Sequence, residues 1–162
     1  MRMLGIGWKV CGGKEAQQLR RRMALTAVLL SLAVSACTSS IKVSLVASDN
    51  INPGGDGKPL SVVVRVYQLA GKDQFEKTDF LTLAKADERV LGKDILLRKE
   101  VTLLPGATEV LKEDRKEGAE YVGVMALFRE GDQVWRRVIA LKDLWIKSVT
   151  FYVNHRTVSS DK

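Results

Sequence analysis

An uncharged stretch of 14 residues, 23–36, is the feature that most constrains this chain. It follows a basic segment that includes 20–22, and it ends directly at Cys37. A helix of this length is too short to cross a bilayer core, which needs roughly 20 apolar residues. A basic segment followed by a short apolar run and small residues is the pattern of a secretory signal peptide. We therefore predict that residues 1–36 are removed and that the mature chain begins at Cys37.

The residues before Cys37, which are Val34, Ser35 and Ala36, resemble the lipobox of bacterial lipoproteins. This resemblance implies that diacylglycerol is attached to the Cys37 sulfur and that a further acyl chain is attached to its amine. Several acyl chains would hold the protein on a membrane, because a single myristoyl chain alone binds only marginally. Thr38 stands where lipoproteins retained at the inner membrane typically carry Asp. The expected location is therefore the periplasmic face of the outer membrane, with a lipid anchor.

Removal of residues 1–36 changes the interpretation of charge and cysteine content. The whole chain has 26 Lys and Arg against 19 Asp and Glu. Residues 1–36 hold six of these basic residues and one acidic residue, which leaves 20 against 18 in the mature chain. Because most of the positive excess leaves with the signal, we infer no nucleic-acid partner. Cys37 is the one cysteine of the mature chain, so its fold must depend on a hydrophobic core and not on disulfides.

The hydrophobic pattern of the mature chain is mainly that of β-strands. Residues 41–47 place an apolar side chain at every second position, as in a strand with one buried face. Residues 60–69 are β-branched and apolar on nearly both faces, as in a central strand. With turns predicted at 105–106 and 130–133, the predicted strands are 41–47, 60–69, 95–104, 107–112, 121–129, 134–141 and 146–153.

A helical insertion is predicted between the second and third strands, within residues 73–92. It starts with a sequence similar to a capping box, Asp73 to Glu76, and Gly92 stands where a helix commonly ends. Seven short strands with turns between them predict an antiparallel β-sandwich that carries this short insertion. The predicted organisation is a signal peptide at 1–36, a tether at 37–40, one domain at 41–158 and a tail at 159–162.

Motifs for catalysis, metals or phosphate are incomplete. His155 is the one histidine of the chain, and its polar surroundings indicate a solvated side chain instead of a general base. The glycines of 54–58 do not complete a phosphate-binding loop, because Lys58 is followed by Pro59. Residues 49–56 lack the alternating oxygen ligands of a calcium loop. We therefore expect no enzyme activity, no cofactor and no metal.

The segment 48–59 is the most informative irregular region. A connection of 12 residues between two strong strands is much longer than a hairpin turn, and loops of that length are commonly functional or disordered. Ile51 is its one large apolar side chain, which could anchor a partner protein. The alternative interpretation is a flexible connection with an incidental isoleucine.

Taken in order, the mature chain resembles the outer-membrane lipoprotein family of type VI secretion systems, TssJ. The resemblance is carried by the lipobox and by 50–53, 57–59, 62–69, 104–106, 119–124, 128–129 and 135–136.

This resemblance implies a transthyretin-like β-sandwich without enzyme activity that docks the periplasmic part of an inner-membrane secretion component, TssM. In the family, the loop between the first two strands contributes to that contact, so the predicted partner-binding residues are Asn50, Ile51, Asn52 and Pro53. Two alternatives remain open. One is a lipoprotein that binds a small ligand or a cell-wall glycan, which would need an aromatic-lined pocket; the other is a hydrolase, for which the chain offers no convincing base.

Overall fold

A computed structural model of the chain describes residues 39–130, 134–144 and 147–162. Several predicted features lie outside these residues: the signal peptide, the lipidation site Cys37 with Thr38, and most of the turn predicted at 130–133. Within the described ranges, no helix is long and apolar enough to cross a membrane.

The described chain forms two four-stranded sheets. The first sheet has the order β4-β1-β7-β8 and the second has the order β3-β2-β5-β6. The predicted β-sandwich is therefore confirmed, and the ends of the seven predicted strands are correct to within two residues. The observed strands are β1 (Ser40–Ala47), β2 (Val62–Leu69), β3 (Ile95–Leu103), β4 (Thr108–Asp114), β5 (Tyr121–Leu127), β6 (Arg136–Ala140), β7 (Ser148–Asn154) and β8 (Thr157–Ser160).

One strand pair differs from the predicted antiparallel arrangement. β1 and β7 are parallel, with Val43 opposite Val149, whereas the other neighbouring strands are antiparallel. The alternation of apolar residues shows which face of a strand is buried, but it is the same for both directions of pairing. Because no hairpin joins β1 to β7, their relative direction was not visible in the sequence.

The eighth strand was not predicted. β8 pairs with β7, with Phe151 opposite Ser160, and residues 155–156 form the turn between them. The predicted tail at 159–162 therefore overlaps the last two residues of β8, and His155 is an exposed residue of the β7–β8 turn. β8 was missed because it has four residues and a single buried apolar side chain, Val158, so its alternation is too short to recognise.

The apolar residues form two clusters on the two sides of the second sheet. The sandwich core between the sheets contains Ile41, Val43, Leu45 and Ala47 of β1, as the alternation predicted. The outer face of the second sheet is covered by a smaller cluster of Tyr67, Leu69, Phe75, Leu83, Leu91 and Met125. Gly123 of β5 permits this cover, because a Cβ atom there would lie 3.1 Å from the side chains of Leu69 and Phe75.

The helical insertion consists of two helices, α1 (Asp73–Lys77) and α2 (Phe80–Leu91). The prediction of helix in 73–92 is confirmed, but the predicted capping box at Asp73 is wrong, since no side chain caps the start of α1. The side-chain cap is at α2, where Asp79 accepts a hydrogen bond from the Thr82 N–H at 3.0 Å. The predicted terminator Gly92 directly follows α2 and has a positive φ of 49°.

A buried carboxylate fixes α2 to the second sheet. Asp87 Oδ2 accepts hydrogen bonds from the Tyr67 hydroxyl at 2.6 Å and from Arg98 Nε at 2.8 Å. Arg65 Nη1 lies 3.3 Å from the same carboxylate oxygen. Burial alone would raise the pKa of Asp87, but these hydrogen bonds and positive charges outweigh it and hold that pKa below its usual range. The insertion is therefore a fixed layer of the domain.

Candidate functional site

The sandwich has two chemically different ends. The chain enters β1 at Ser40 and leaves it at Ala47. Because a strand rises about 3.3 Å per residue, these points lie roughly 23 Å apart along the domain. We call the end at Ser40 the anchor end. The loop end is the opposite one, which carries the connections 48–61, 104–107 and 128–135 and the turn 155–156.

The first described residue, Ser39, stands two positions after the predicted lipidation site in the sequence. Ser39 is fixed to the domain, because its carbonyl oxygen accepts a hydrogen bond from the Arg115 N–H at 2.9 Å. Two residue steps separate Cys37 from Ser39, and an extended chain covers at most about 7 Å in two residues.

The base of the β1–β2 connection, which we define as residues 51–53, belongs to the domain interior. Ile51 was predicted as an exposed anchor for a partner, but its exposed fraction is 0% and it packs within the sandwich core. Asn52 and Pro53 are also buried. Of the four predicted contact residues, Asn50 alone is exposed. The connection folds back over the end of the sandwich. Ile51 is buried there because removing an apolar side chain from water lowers the free energy of the folded chain.

Asn52 explains why this base has one conformation. Its side-chain Nδ2 donates to the Ser61 carbonyl at 2.8 Å, and its Oδ1 accepts from the Arg129 N–H at 2.8 Å. Its own N–H donates to the carbonyl of His155 at 2.6 Å. The φ of Asn52 is 47°, a left-handed conformation that asparagine tolerates better than most residues. One residue thus joins the β1–β2 connection to the residues after β5 and to the β7–β8 turn.

The loop tip, which we define as residues 54–60, is mostly exposed and bonded chiefly to itself. The Gly54 N–H donates to the Lys58 carbonyl at 2.8 Å, and the Gly57 N–H donates to the Gly54 carbonyl at 2.9 Å. Gly57 has a φ of 77°, which a residue with a side chain would adopt only with strain. Lys58 and Asp56 form an exposed ion pair at 3.5 Å. A tip that is turned on itself and held by a buried base is a preshaped protrusion.

The described residues offer little for ligand or metal chemistry. Among them, no group of three His, Cys, Asp or Glu side chains could hold a metal ion. A surface groove of about 360 Å³ lies at the start of β5, with Tyr121 as its aromatic residue. The ring centroids of Trp135 and Phe80 are 5.2 Å apart, and Arg136 Cζ lies 4.3 Å from the Trp135 ring centroid. Trp135 is therefore part of a packed layer and does not line a binding cleft. Trp145 lies outside the described residues.

Arg136 was missed as a positioning residue, and it shapes this side of the domain. Its guanidinium donates to the Phe75 carbonyl at 2.6 Å and to the carbonyls of Glu76 and Thr78, which close the end of α1. Burial lowers the pKa of Arg136 from its usual value, partly offset by the charges of Glu76 and Asp79. In the sequence, Arg136 was visible only as an arginine next to a tryptophan. That pattern does not show which backbone carbonyls the arginine side chain contacts.

Comparison with known proteins gives a consistent result. A model of the family described as type VI secretion lipoprotein, VasD, EvfM, TssJ matches residues 39–156. No curated protein matches the chain at a significant level.

Solved structures are also similar. One described as "Type VI membrane complex" is 31% identical with a TM-score of 0.71, and the match covers 76% of this chain and 98% of that one. Another, described as "T6SS protein TssM C-terminal domain (869-1107) from EAEC", is 29% identical with a TM-score of 0.66 and the same two coverages. The membrane-bound type VI component Lip of Serratia marcescens is 23% identical with a TM-score of 0.70. The match covers 77% of this chain and 97% of that one, and it supports the fold alone.

Proposed function

The chain belongs to the type VI secretion lipoprotein family that includes TssJ, and from this premise we propose that it tethers the secretion complex to the outer membrane by docking TssM. In this proposal, acyl chains on Cys37 hold the anchor end on the periplasmic face of the outer membrane. The loop end then projects toward the periplasm and docks the periplasmic C-terminal domain of TssM. No catalytic step is part of this function.

The observation that carries the proposal is the position of the loop tip. The tip is exposed and preshaped, and it lies at the end of the sandwich opposite the short tether. A protein held by lipids at one end and bound at the other would transmit force along strands that are hydrogen-bonded side by side. Of the four residues predicted to contact the partner, Asn50 keeps that role in the proposal. Ile51, Asn52 and Pro53 would act indirectly, by holding the tip in place.

The comparison with the EAEC structure supports TssM as the partner. The match uses 76% of these 162 residues and covers 98% of the matched chain. The matched chain is therefore shorter than the residue range 869–1107 given in its description. A short chain of this fold within a structure described by its TssM domain is what a complex of the two would contain. The residues that this chain presents to TssM are part of the proposal.

Co-purification tests the docking. The full lipoprotein, purified in detergent, is mixed with the periplasmic C-terminal domain of TssM from the same cell. The exposed positions Asn50 and Asp56 are changed together to Arg, with Gln74→Arg and Glu88→Arg as a matched control on exposed positions of the helices. We expect wild type and control to bind and the variant with Arg at positions 50 and 56 to lose binding at an unchanged melting temperature. Equal binding by all three would place the docking surface away from the exposed part of this connection.

Membrane fractionation tests the anchor. We expect wild type in the outer-membrane fraction with incorporated fatty acid, and a Cys37→Ser variant without fatty acid and released from the membrane. A Thr38→Asp variant should move to the inner membrane. Outer-membrane retention of Cys37→Ser would contradict the lipid anchor and leave the docking result unaffected.

A further inference from the structure

We propose that two adjoining surface grooves at the anchor end bind the phosphate-bearing headgroup of an anionic phospholipid. The grooves share Tyr121 and Lys142. The lipid belongs to the membrane that carries the acyl anchor, so this inference rests on the proposed anchor at Cys37 and adds a second membrane contact to it. It concerns the end of the domain opposite to the connection that is proposed to dock TssM.

The two grooves adjoin at the anchor end of the β5–β6 pair. The first has a volume of about 360 Å³ and includes Lys72, which directly precedes α1. The second has a volume of about 310 Å³ and includes Arg115. Tyr121, Ala140 and Lys142 line both. Sites for small molecules typically have volumes of about 300–1,000 Å³, so each groove is large enough for a polar headgroup.

Strand register explains why these residues converge. Tyr121, the first residue of β5, is opposite Leu69 and Ala140, which are the last residues of β2 and β6. The chain therefore leaves both neighbouring strands beside Tyr121. It reaches Lys72 after β2 on one side and Lys142 after β6 on the other. Two lysines that are distant in sequence are thus brought to one tyrosine.

The backbone around the grooves is fixed by hydrogen bonds. The Leu141 N–H donates to the Glu120 carbonyl at 2.7 Å, which holds the chain after β6 against the start of β5. Arg115 Nε donates to the Ala119 carbonyl at 3.1 Å, and the Arg115 N–H donates to the Ser39 carbonyl at 2.9 Å. The second groove is therefore bordered by the residue that also binds the first described residue of the chain.

Basic side chains outnumber acidic ones around the grooves. The charged residues of their lining are Lys72, Arg115, Lys142 and Lys162 against Glu120 and Asp143. Lys72 is paired with Glu76 at 3.0 Å, and within the described ranges no ion pair involves Arg115 or Lys142. A phosphate group would supply the negative charge that this arrangement favours, because basic residues attract anionic lipids.

The chemical character of Tyr121 also suits a lipid headgroup. Its ring packs against the smaller apolar cluster on the outer face of the second sheet, while the residue remains partly exposed in the grooves. Tyrosine is enriched at membrane–water interfaces, where one part of the side chain is in apolar surroundings and the hydroxyl is hydrated.

The position of the grooves in the chain favours a lipid as their occupant. Cys37 stands two positions before Ser39, and two residues of extended chain cover at most about 7 Å. With acyl chains on Cys37, as proposed above, the anchor end stays within reach of the headgroups of the same membrane. Acyl chains and basic residues act together in membrane binding, since each adds to the other's affinity for an anionic surface.

Lipid selection by the purified protein tests the inference. The full lipoprotein in neutral detergent is mixed with equal amounts of phosphatidylglycerol and phosphatidylcholine that carry identical acyl chains, and the retained lipids are quantified by mass spectrometry. Lys142→Glu is compared with Lys85→Glu, which makes the same charge change at an exposed position of α2. We expect wild type and Lys85→Glu to prefer phosphatidylglycerol about fivefold or more, and Lys142→Glu to prefer it less than about twofold.

Two further measurements make the test specific. Lys142→Gln should give an intermediate preference, because it removes one positive charge without adding a negative one, and it replaces Lys142→Glu if that variant has a lowered melting temperature. High salt should reduce the preference of wild type, since exposed charges are screened.

The possible outcomes separate this inference from the proposed function. A wild type without preference, or a Lys142→Gln variant with the full preference, would overturn the inference and leave TssM docking and fatty-acid incorporation unaffected. Displacement of the lipid by inorganic phosphate at equal concentration would assign the grooves to free phosphate and overturn it. Retention of isolated peptidoglycan instead of lipid would assign them to the cell wall. A wild type without fatty acid would overturn both the anchor and the inference.

Discussion

The base and the tip of the β1–β2 connection are adjacent in sequence and opposite in physical character. The base, Ile51 to Pro53, is buried, and its polar groups are bonded to distant segments. The tip, 54–60, is mostly exposed and bonded to itself. The base therefore stabilises the fold, whereas the tip can bind a partner with little influence on stability. A single connection can thus combine a buried segment that contributes to the fold with an exposed segment that is free to contact other molecules.

This difference decides which variants are informative about docking. A charge placed at Ile51 would be buried in the core, and an unpaired buried charge is strongly destabilising. Loss of partner binding in such a variant would show only that the domain no longer folds, and it would not identify a contact with the partner. Substitutions at exposed positions such as Asn50 or Asp56 leave the core unchanged, so loss of binding there reports on the surface.

The largest expected effect is at Ile51. Replacing Ile51 by Ala removes buried methylene groups and leaves a cavity, and we expect a loss of about 2–5 kcal/mol in the free energy of unfolding. The matched control at the tip, Leu60→Ala, should cost less than about 1 kcal/mol, because that side chain is 40% exposed. Urea denaturation of both variants measures the difference. Equal losses would show that the base is no more part of the core than the tip.

The second effect is at Asn52. Asn52→Ala removes the bonds to Ser61 and Arg129, leaves their buried groups without a partner and strains the backbone at φ 47°. We expect a loss of about 2–3 kcal/mol in the free energy of unfolding. Asn52→Gly loses the same bonds without the strain, so it should be the less destabilised variant in thermal melts. A neutral Asn52→Ala would mean that these bonds do not hold the base.

The third effect tests the backbone of the tip. Gly57 has a φ of 77° and an added Cβ would touch nothing within 4 Å, so Gly57→Ala measures the backbone cost alone. We expect about 1 kcal/mol of destabilisation. Gly55 has equally open surroundings and no positive φ, so Gly55→Ala should be neutral or slightly stabilising. Identical melting temperatures for the two variants would contradict the turned conformation of the tip.

The smallest effect is at Lys58. Its ion pair with Asp56 at 3.5 Å is exposed, with 81% of the lysine side chain accessible. We expect Lys58→Ala to change the free energy of unfolding by less than about 0.5 kcal/mol. The same urea titration at low and high salt checks this, since exposed pairs are screened. A clear loss that persists at high salt would indicate that the tip is part of the cooperative fold.

Much of the fold could be predicted from the sequence because its signals are local. Alternation over 41–47 was long enough to identify both a strand and its buried face, and the insertion was recognised from its spacing and from Gly92. β8 was not recognised, since four residues with one buried valine give no pattern. The cap at Asp79 was missed because the capping box at Asp73 was the stronger local match.

The candidate site depended more on contacts between distant residues. The sequence identified 48–59 as an unusual connection, and the lipidation of Cys37 with its short tether stays a prediction from the sequence. The burial of Ile51 and the bond from Asn52 to Arg129, 77 residues further along, needed the tertiary structure. So did the parallel pairing of β1 with β7. Periodicity reports which face of a segment is apolar, whereas the neighbour on that face is chosen only when the whole chain packs.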